Sequence, residues 1–285
     1  MALTRELIEE HGVQIPIPRP AHREDEYHEA GHDVLLEMQQ KHFWYLGRHR
    51  VIARALARET RRTLGKTEQL EGIDMGGGCG GWIEFLHEHS GNAYTRLALG
   101  DSSLRALTMS ESTVGQFAER YQIDLLDLPW EAEWDVVFLL DVLEHIPDHL
   151  TVLKQIRRTL RPGWLLYITT PALQLFWTYN DVVAAHQRRY SRRDYVDLAR
   201  SANLELIRAD YFMFLLSPLL LASRLMSRPP KDASLDEMRE HATDAHKIPA
   251  WPINKALESI FSLEASAINH LRYPWGTSIL AVLLR

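Results

Sequence analysis

The sequence predicts an α/β fold built on a doubly wound, largely parallel sheet. From residue 70 onward, short apolar segments alternate with amphipathic ones, which is the order expected of repeated β–α units. A near-continuous apolar run at 134–141 is typical of a parallel strand covered on both faces. Together these two features favour a parallel sheet with helices on either side.

The individual elements follow from the same periodicities. Short apolar runs predict strands, and segments with an i, i+3, i+4 pattern predict helices between them. The Pro162-Gly163 pair is a helix breaker. The predicted strands are 71–75, 94–100, a short one ending near Asp124, 134–141, 164–170, 204–212 and 277–284, with helices at 82–90, 103–110 and 148–160.

Four regions divide the chain. They are an N-terminal helical arm at 1–46, a core at 47–172, an insert at 173–203, and a completion of the sheet at 204–285 with a helical insertion at 213–272.

Within the arm, residues 1–22 are predicted as a short helix and an extended segment, followed by a helix at 23–40. A further helix at 48–64 carries a basic stripe, for which a solvated face is favoured over contact with an anionic substrate or lipid head groups. The stripe consists of Arg50, Arg54, Arg58 and Arg61.

Composition excludes several functional classes. The chain has 285 residues, a net charge of −6 and a pI near 6.2, which argues against general nucleic-acid binding. Cys79 is the single cysteine, so a reducing, cytoplasmic location is expected. The N-terminus lacks the apolar centre of a secretory signal. The most apolar run, 211–226, is shorter than the roughly 20 residues that span a bilayer.

A glycine loop after the first strand predicts a nucleotide-type pocket, because glycines allow a ligand to approach bare main chain at a helix start. One interpretation is the dinucleotide fingerprint Gly76-x-Gly78-x-x-Gly81, with Asp101 downstream as a ribose-binding acid. The pattern Asp74-x-Gly76-x-Gly78-x-Gly80 fits equally well. It resembles the first motif of class I S-adenosylmethionine (SAM) dependent methyltransferases.

Two later segments favour the methyltransferase interpretation. Residues 123–130 resemble the family's segment in which an acid precedes a Leu-Pro-aromatic turn, although turn residues alone are the alternative. Residues 134–148 resemble the fourth motif, a buried strand ending in Asp-Val-Leu-Glu-His. The resemblance covers 70–172 most closely and implies a Rossmann-like, seven-stranded sheet with an antiparallel last strand.

The resemblance also implies a set of ligand contacts. Asp74 and the backbone of Gly76, Gly78 and Gly80 would hold the methionine portion of SAM, with Asp141 lining the same side. Asp101, with its neighbour Ser102, would hold the ribose. Asp124 and Leu125 would hold the adenine. No residue is assigned to a metal.

Residues for the methyl acceptor are less well marked. His145 and His186 are the candidate catalytic bases, since imidazole titrates near neutrality. Trp177, Asp181, Arg189 and Tyr190 are the candidate acceptor-binding residues, with a local salt-bridge cluster as the alternative. By resemblance, Trp44, Tyr45 and Arg48 would form a lid over the cofactor, unless they are simply a packed aromatic core.

The function implied by the resemblance is in-line SN2 methyl transfer from SAM to a small or lipid-linked acceptor, which leaves S-adenosylhomocysteine (SAH). The alternatives are an NAD(P)-dependent oxidoreductase and a non-catalytic SAM- or SAH-binding module. No nucleic-acid partner is expected. A monomer or homodimer is expected, and residues 211–226 are a candidate for peripheral membrane contact, core or dimer packing.

Overall fold

Nine strands form one sheet in the computed structural model, which describes residues 5–20, 32–65, 69–226, 237 and 247–285. The spatial order is β1-β2-β5-β4-β3-β6-β7-β9-β8. The strands are β1 Leu7–Glu10, β2 Val13–Pro16, β3 Leu70–Met75, β4 Tyr94–Asp101, β5 Glu119–Gln122, β6 Trp134–Leu140, β7 Leu160–Pro171, β8 Glu205–Phe212 and β9 Ser278–Leu284.

The central strands, from β5 to β7, are parallel, and β9 runs antiparallel between β7 and β8. The predicted doubly wound sheet with an antiparallel last strand is therefore confirmed. The strand order reverses at β3: β4 and β5 lie on one side of it, and β6 and β7 lie on the other. Open α/β sheets bind ligands at such a switch point.

Helices cover both faces of this sheet. They are α1 His32–Lys41, α2 Phe43–Leu64, α3 Gly81–His89, α4 Leu104–Met109, α5 Glu111–Val114, α6 His149–Thr159, α7 Tyr179–Val183, α8 Arg192–Ser201, α9 Ser217–Met226 and α10 Trp251–Ala267, with a 3-10 turn at Gln174–Phe176. None of these helices has the length and hydropathy needed to span a bilayer, among the residues searched.

Side chains from β6 divide the core into two layers. Val136 and Phe138 face one layer, and Val137 and Leu139 face the other, as the two-residue period of a strand requires. All four are fully buried. This explains the near-continuous apolar run that the sequence shows at this position.

The N-terminal prediction was wrong for the described part of 1–22. Residues 7–16 form the hairpin β1–β2, which extends the sheet from seven strands to nine. His11 and Gly12 both have positive φ, which suits a two-residue hairpin turn, and Val13 and Ile15 are fully buried. Residues 1–4, 21 and 22 lie outside the described residues, as does the predicted helical segment 23–31.

The basic stripe of α2 is only partly solvated, which corrects that prediction. Arg50 donates to Ser262 at 2.7 Å and pairs with Glu258 at 2.5 Å, and Arg58 donates to the carbonyl of Asn269. Helix α10 thus covers part of the stripe. Helix α2 also begins at Phe43 rather than 48, because the His42 side chain caps it by accepting from Trp44 N.

Candidate cofactor and acceptor site

Three acidic side chains meet at the carboxyl edge of the central strands. Asp74 lies in β3, Asp101 ends β4, and Asp141 directly follows β6. Because β4, β3 and β6 are parallel neighbours, their carboxyl ends share one edge. The structure therefore brings together the three acids that the sequence assigned to the cofactor.

The glycine loop between β3 and α3 needs glycine for both conformation and space. Gly76 has a φ of +78°, and a Cβ there would lie 2.6 Å from the Val142 side chain. Gly80 has a φ of +86° and directly precedes α3. Any other residue would strain the loop at these positions. The loop thus keeps bare backbone at a helix start, where an anionic or polar ligand is favoured.

Asp101 holds the glycine loop and the next turn together. Its Oδ2 accepts from Gly78 N at 2.9 Å, and its Oδ1 accepts from Ser103 N at 2.9 Å. A carboxylate has about four lone-pair positions, so both oxygens retain capacity for ligand hydroxyls. Ser102 lies between these anchors and offers its carbonyl to Gln122 at 3.0 Å.

The adenine candidates lie in the turn after β5. Asp124 Oδ1 accepts from Leu126 N at 2.9 Å, and both Asp124 and Leu125 are half-buried. This bond is a local turn contact, as the alternative interpretation expected. The assignment of Asp124 and Leu125 to the adenine stays a prediction.

Asp74 is a buried carboxyl group with an unused oxygen. It is 1% exposed, and its Oδ1 has no hydrogen-bond partner. Burial raises the pKa of Asp74 to about 7; the Arg48 guanidinium opposes this rise, whereas Asp101 and Asp141 add to it. A cation bound beside Asp74 would therefore stabilise its ionised form.

Arg48 reaches into this edge from α2. Its Nη1 donates to Asp141 Oδ2 at 2.5 Å, and Thr169 Oγ1 donates to the same oxygen at 3.0 Å. The guanidinium is buried, and its Nε has no partner. The central guanidinium carbon, Cζ, lies 5.0 Å from the centroid of the Trp44 ring and 5.1 Å from that of the Tyr45 ring. The three residues assigned to a lid are thus in contact with one another, and Arg48 joins them to Asp141.

Helix α1 lies directly on the glycine loop through Gln39, which the sequence did not single out. Gln39 Nε2 donates to the carbonyl of Gly77 at 3.3 Å, and its Oε1 accepts from Gly81 N at 3.2 Å. Gln39 was not predictable because nothing in a single polar residue on an amphipathic helix indicates a partner about 40 positions away.

The two candidate catalytic histidines lie against each other beyond Asp141. The ring centroids of His145 and His186 are 4.8 Å apart. His186 Nδ1 lies 2.9 Å from Asp181 Oδ1, and His186 Nε2 lies 4.0 Å from Glu144 Oε1. Glu144 was not assigned from the sequence, although it stands beside His145 in the segment that resembles the fourth motif.

Burial controls the charge of this group. Glu144 is fully buried, neither of its carboxyl oxygens has a partner, and burial together with Asp141 raises its pKa well above the ordinary range. Burial and the neighbouring His186 lower the pKa of His145 to about 3. His145 is therefore a neutral imidazole at physiological pH.

The other acceptor candidates bind one another or the protein. Arg189 donates to both carboxyl oxygens of Asp181, from Nε at 2.8 Å and from Nη2 at 3.0 Å. Although burial alone would raise it, hydrogen bonds from His186 and Arg189 lower the pKa of Asp181 to about 2. This is the local salt-bridge cluster that the sequence left open. Tyr190 is buried and donates to the carbonyl of Leu143 at 3.2 Å, whereas Trp177 is half-buried.

Residues 46–209 match the model of a protein family described as a methyltransferase domain. The match covers more than half of the chain, so this protein belongs to that family. The resemblance to class I SAM-dependent methyltransferases is thereby confirmed.

Individual relatives agree with this assignment. The ubiquinone biosynthesis O-methyltransferase of Pseudomonas syringae pv. tomato is 33% identical over 98 residues, which is 33% of this chain and 41% of that protein. The chain therefore matches about two fifths of the length of this relative.

Two solved structures are similar in fold. A candidate sarcosine dimethylglycine methyltransferase from Galdieria sulphuraria has a TM-score of 0.53 at 17% identity, covering 81% of this chain and 84% of that one. Phosphoethanolamine N-methyltransferase 2 of Haemonchus contortus, in complex with SAM, has a TM-score of 0.50 at 16% identity, covering 79% and 50%. At these identities the likeness is one of fold alone.

Proposed function

We propose that this protein transfers a methyl group from SAM to a small or lipid-linked acceptor. The sulfonium of SAM already activates the methyl group, so the protein acts mainly by holding the two reactants in line. Such alignment corresponds to effective molarities of about 10⁵–10⁸ M. The acceptor atom attacks the methyl carbon, the carbon–sulfur bond breaks, and SAH leaves.

One observation carries the cofactor proposal. Asp74 has a carboxyl oxygen without a partner, and Arg48 has an Nε without a partner, in the same buried region of the site. A carboxyl oxygen and a guanidinium N–H that both lack partners together complement a group that carries both an ammonium and a carboxylate. The methionine end of SAM is such a group, whereas a nicotinamide dinucleotide has no amino-acid zwitterion.

The other residues along the sheet edge would each contact a different part of the cofactor. Asp101, already bonded to Gly78 N, would accept from the ribose hydroxyls, with Ser102 beside it. Asp124 and Leu125 would contact the adenine. Gly76 and Gly80 would supply bare backbone, and Asp141 would face the sulfonium side. Two carboxylates near the positive sulfur would offset its charge in the bound cofactor.

The acceptor would lie against Glu144, His145 and His186, the polar groups next along the edge from Asp141. We propose that His186 and His145 activate the acceptor atom. Asp181 holds the Nδ1 side of His186, so its Nε2 faces Glu144. Trp177, Arg189 and Tyr190 would line the acceptor side, with Arg189 and Tyr190 shaping it through their present contacts.

The surface beside β8 supports an amphiphilic acceptor. Residues 211 and 212 end strand β8, so the apolar run 211–226 is not a single helix. Beyond the strand, Leu215 and Leu219 are 43% and 55% exposed, and Leu263 of α10 is 67% exposed. We propose that this exposed apolar surface contacts a membrane, which would bring a lipid-linked acceptor to the enzyme.

Ligand-dependent melting of the full chain tests the cofactor proposal. SAM and SAH should raise the melting temperature in a concentration-dependent manner, because a ligand that binds only the folded state stabilises it. NADH at the same concentrations should not. Stabilisation by NADH alone would overturn the proposal. Turnover is then tested by SAH release from SAM with pools of hydroxyl, amine and lipid-linked acceptors. SAM binding without SAH release from every pool would favour a non-catalytic binding module.

A further inference from the structure

We propose that Glu144, His145 and His186 bind one divalent first-row transition metal ion, which holds and activates an oxygen of the methyl acceptor. The inference deepens the proposed methyl transfer and rests on it. Glu144, His145 and His186 form the part of the site that would face the acceptor, here called the acceptor half. The inference starts from donor groups in this half that form no bonds within the folded chain.

The donor atoms are close enough to share one ion. One potential ligand atom from each of the three side chains lies within 4.8 Å of the other two. Both oxygens of the fully buried Glu144 lack a hydrogen-bond partner, and so does Nδ1 of His145. Buried polar atoms without partners are rare in folded proteins, because each carries an uncompensated desolvation cost. A bound cation would compensate all of them at once.

The two imidazoles are already oriented for this role. Metal-binding histidines generally use one ring nitrogen for the metal and give the other N–H to a carboxylate or a backbone carbonyl. His186 has its Nδ1 on Asp181 at 2.9 Å, and its Nε2 faces Glu144. The ring of His145 hydrogen-bonds the backbone of Ala184, while its Nδ1 is free. Each ring therefore keeps one nitrogen in place and presents the other.

Supporting contacts hold this arrangement rigid. Asp181 also receives two bonds from Arg189 and one from Thr178 N at 2.7 Å, so the carboxylate cannot easily turn away from His186. Asp141, which lies near enough to raise the pKa of Glu144, is bound by Arg48 and Thr169. Asp141 thus belongs to the cofactor half, and the three proposed ligands form a separate group.

The donor set selects the kind of metal. Two imidazole nitrogens with one carboxylate favour Zn²⁺, Fe²⁺ or Mn²⁺ over Mg²⁺ and Ca²⁺, which prefer all-oxygen surroundings. Three protein ligands leave at least one coordination position open. An oxygen of the acceptor would take that position.

The chemistry of the step balances without a further reagent. A hydroxyl that coordinates the ion becomes more acidic and releases its proton to solvent water. The resulting oxyanion attacks the SAM methyl carbon with one of its lone pairs. The carbon–sulfur bond breaks, its electron pair stays on sulfur as SAH, and the methylated oxygen leaves the ion. The proposal thus identifies the acceptor as a hydroxyl compound.

Cobalt binding to untagged, full-length protein tests the site directly. The protein is dialysed against a chelator and titrated with Co²⁺, whose visible d–d absorption reports coordination by nitrogen and oxygen ligands. We expect one equivalent with this spectrum, and competition by Zn²⁺ but not by Mg²⁺. Glu144→Gln and His186→Ala should weaken Co²⁺ binding at least 100-fold. His149→Ala is the matched control, because His149 instead bonds the Tyr190 hydroxyl at 2.8 Å, and its titration should be unchanged.

The metal site is overturned if the chelator-treated wild type takes up no stoichiometric Co²⁺. It is also overturned if the Glu144→Gln variant binds Co²⁺ as tightly as the wild type. Circular dichroism of each variant, together with SAM-dependent melting, shows whether the fold persists. If Glu144→Gln does not fold, His145→Asn replaces it. A wild type that binds no Co²⁺ but is still stabilised by SAM refutes only the metal site, whereas absence of any SAM effect in the wild type refutes the proposed function itself.

Discussion

The two halves of the site differ in how much of their polar chemistry the protein satisfies by itself. In the cofactor half, which holds Asp74, Asp101, Asp141 and Arg48, Asp101 and Asp141 each accept two internal hydrogen bonds, whereas Asp74 Oδ1 and Arg48 Nε lack a partner. In the acceptor half, Glu144 has no partner at either oxygen. The first half is thus largely preorganised by the chain, whereas the second is incomplete without something bound. Preorganisation of this kind reduces the cost of binding, so the cofactor half should bind in the absence of an acceptor.

The largest expected effect is loss of SAM binding in Asp101→Ala. The variant loses contacts to the ribose and the two bonds that brace the loop, each worth about 1.5–3 kcal/mol for a charged acceptor. SAM should therefore no longer raise the melting temperature at concentrations that saturate the wild type. Asp127→Ala is the control, since its side chain is 55% exposed and contacts Arg5 at the surface. Undiminished SAM stabilisation of Asp101→Ala would show that the ribose assignment is wrong.

The next effect is a pH dependence of stability that comes from Asp74. Its pKa is about 7 in the folded protein against an ordinary 3.8, so between about pH 4 and 7 the folded state binds a proton that the unfolded state has lost. The free energy of unfolding should fall as the pH rises through this window, by up to about 4 kcal/mol. Urea unfolding without SAM at pH 4.5, 6 and 8 should show this slope in the wild type and a flatter one in Asp74→Asn. Equal slopes in the two proteins would exclude Asp74 as the source.

A smaller effect, confined to turnover, is expected of His186→Ala. General acid–base or equivalent activation of the acceptor is worth about 10²–10⁴ in rate. SAH release should fall by about 100-fold or more, while SAM still raises the melting temperature as in the wild type. His89→Ala is the control, because its side chain is 56% exposed and far along the chain from the acceptor group. Wild-type turnover in His186→Ala would remove His186 from the acceptor half.

The smallest effect is expected of Gln39→Ala, which detaches α1 from the glycine loop. Gln39 is buried and makes two hydrogen bonds to loop backbone, which together contribute about 1–2 kcal/mol. The midpoint of urea unfolding should fall accordingly. The adjacent Gln40→Ala loses only exposed contacts to Glu84, and should change stability by less than about 0.5 kcal/mol. A Gln39 variant as stable as the Gln40 variant would mean that α1 is not fixed through this side chain.

Local sequence was enough to predict that Asp74, Asp101 and Asp141 would lie at one edge of the sheet. Asp74, Asp101 and Asp141 each follow an apolar strand pattern, and the carboxyl ends of parallel strands share an edge, so their proximity follows from topology. The glycine loop lies between a strand and a helix, which is a short-range signal. The fold class was predictable for the same reason.

The rest depends on contacts between distant parts of the chain. His186 lies in an insert without periodicity, so nothing in the sequence showed that its ring would lie beside Glu144. The hairpin β1–β2 was missed because its strands are four residues long and join β5 through Gln14 and Tyr121, more than 100 positions apart. Likewise, Arg50 finds its partners on α10 about 210 positions away, and helical periodicity alone cannot distinguish such a partner from solvent.

Gly47 allows α2 and α10 to pack closely at the position next to Arg48. A Cβ at this position would lie 1.9 Å from the Phe261 ring of α10, and the very next residue is Arg48. A methyl group added here would force the Phe261 ring or the α2 backbone to shift, next to the residue whose guanidinium contacts Asp141. Because Gly47 has no side chain, α10 packs against α2 directly beside the residue that contacts Asp141.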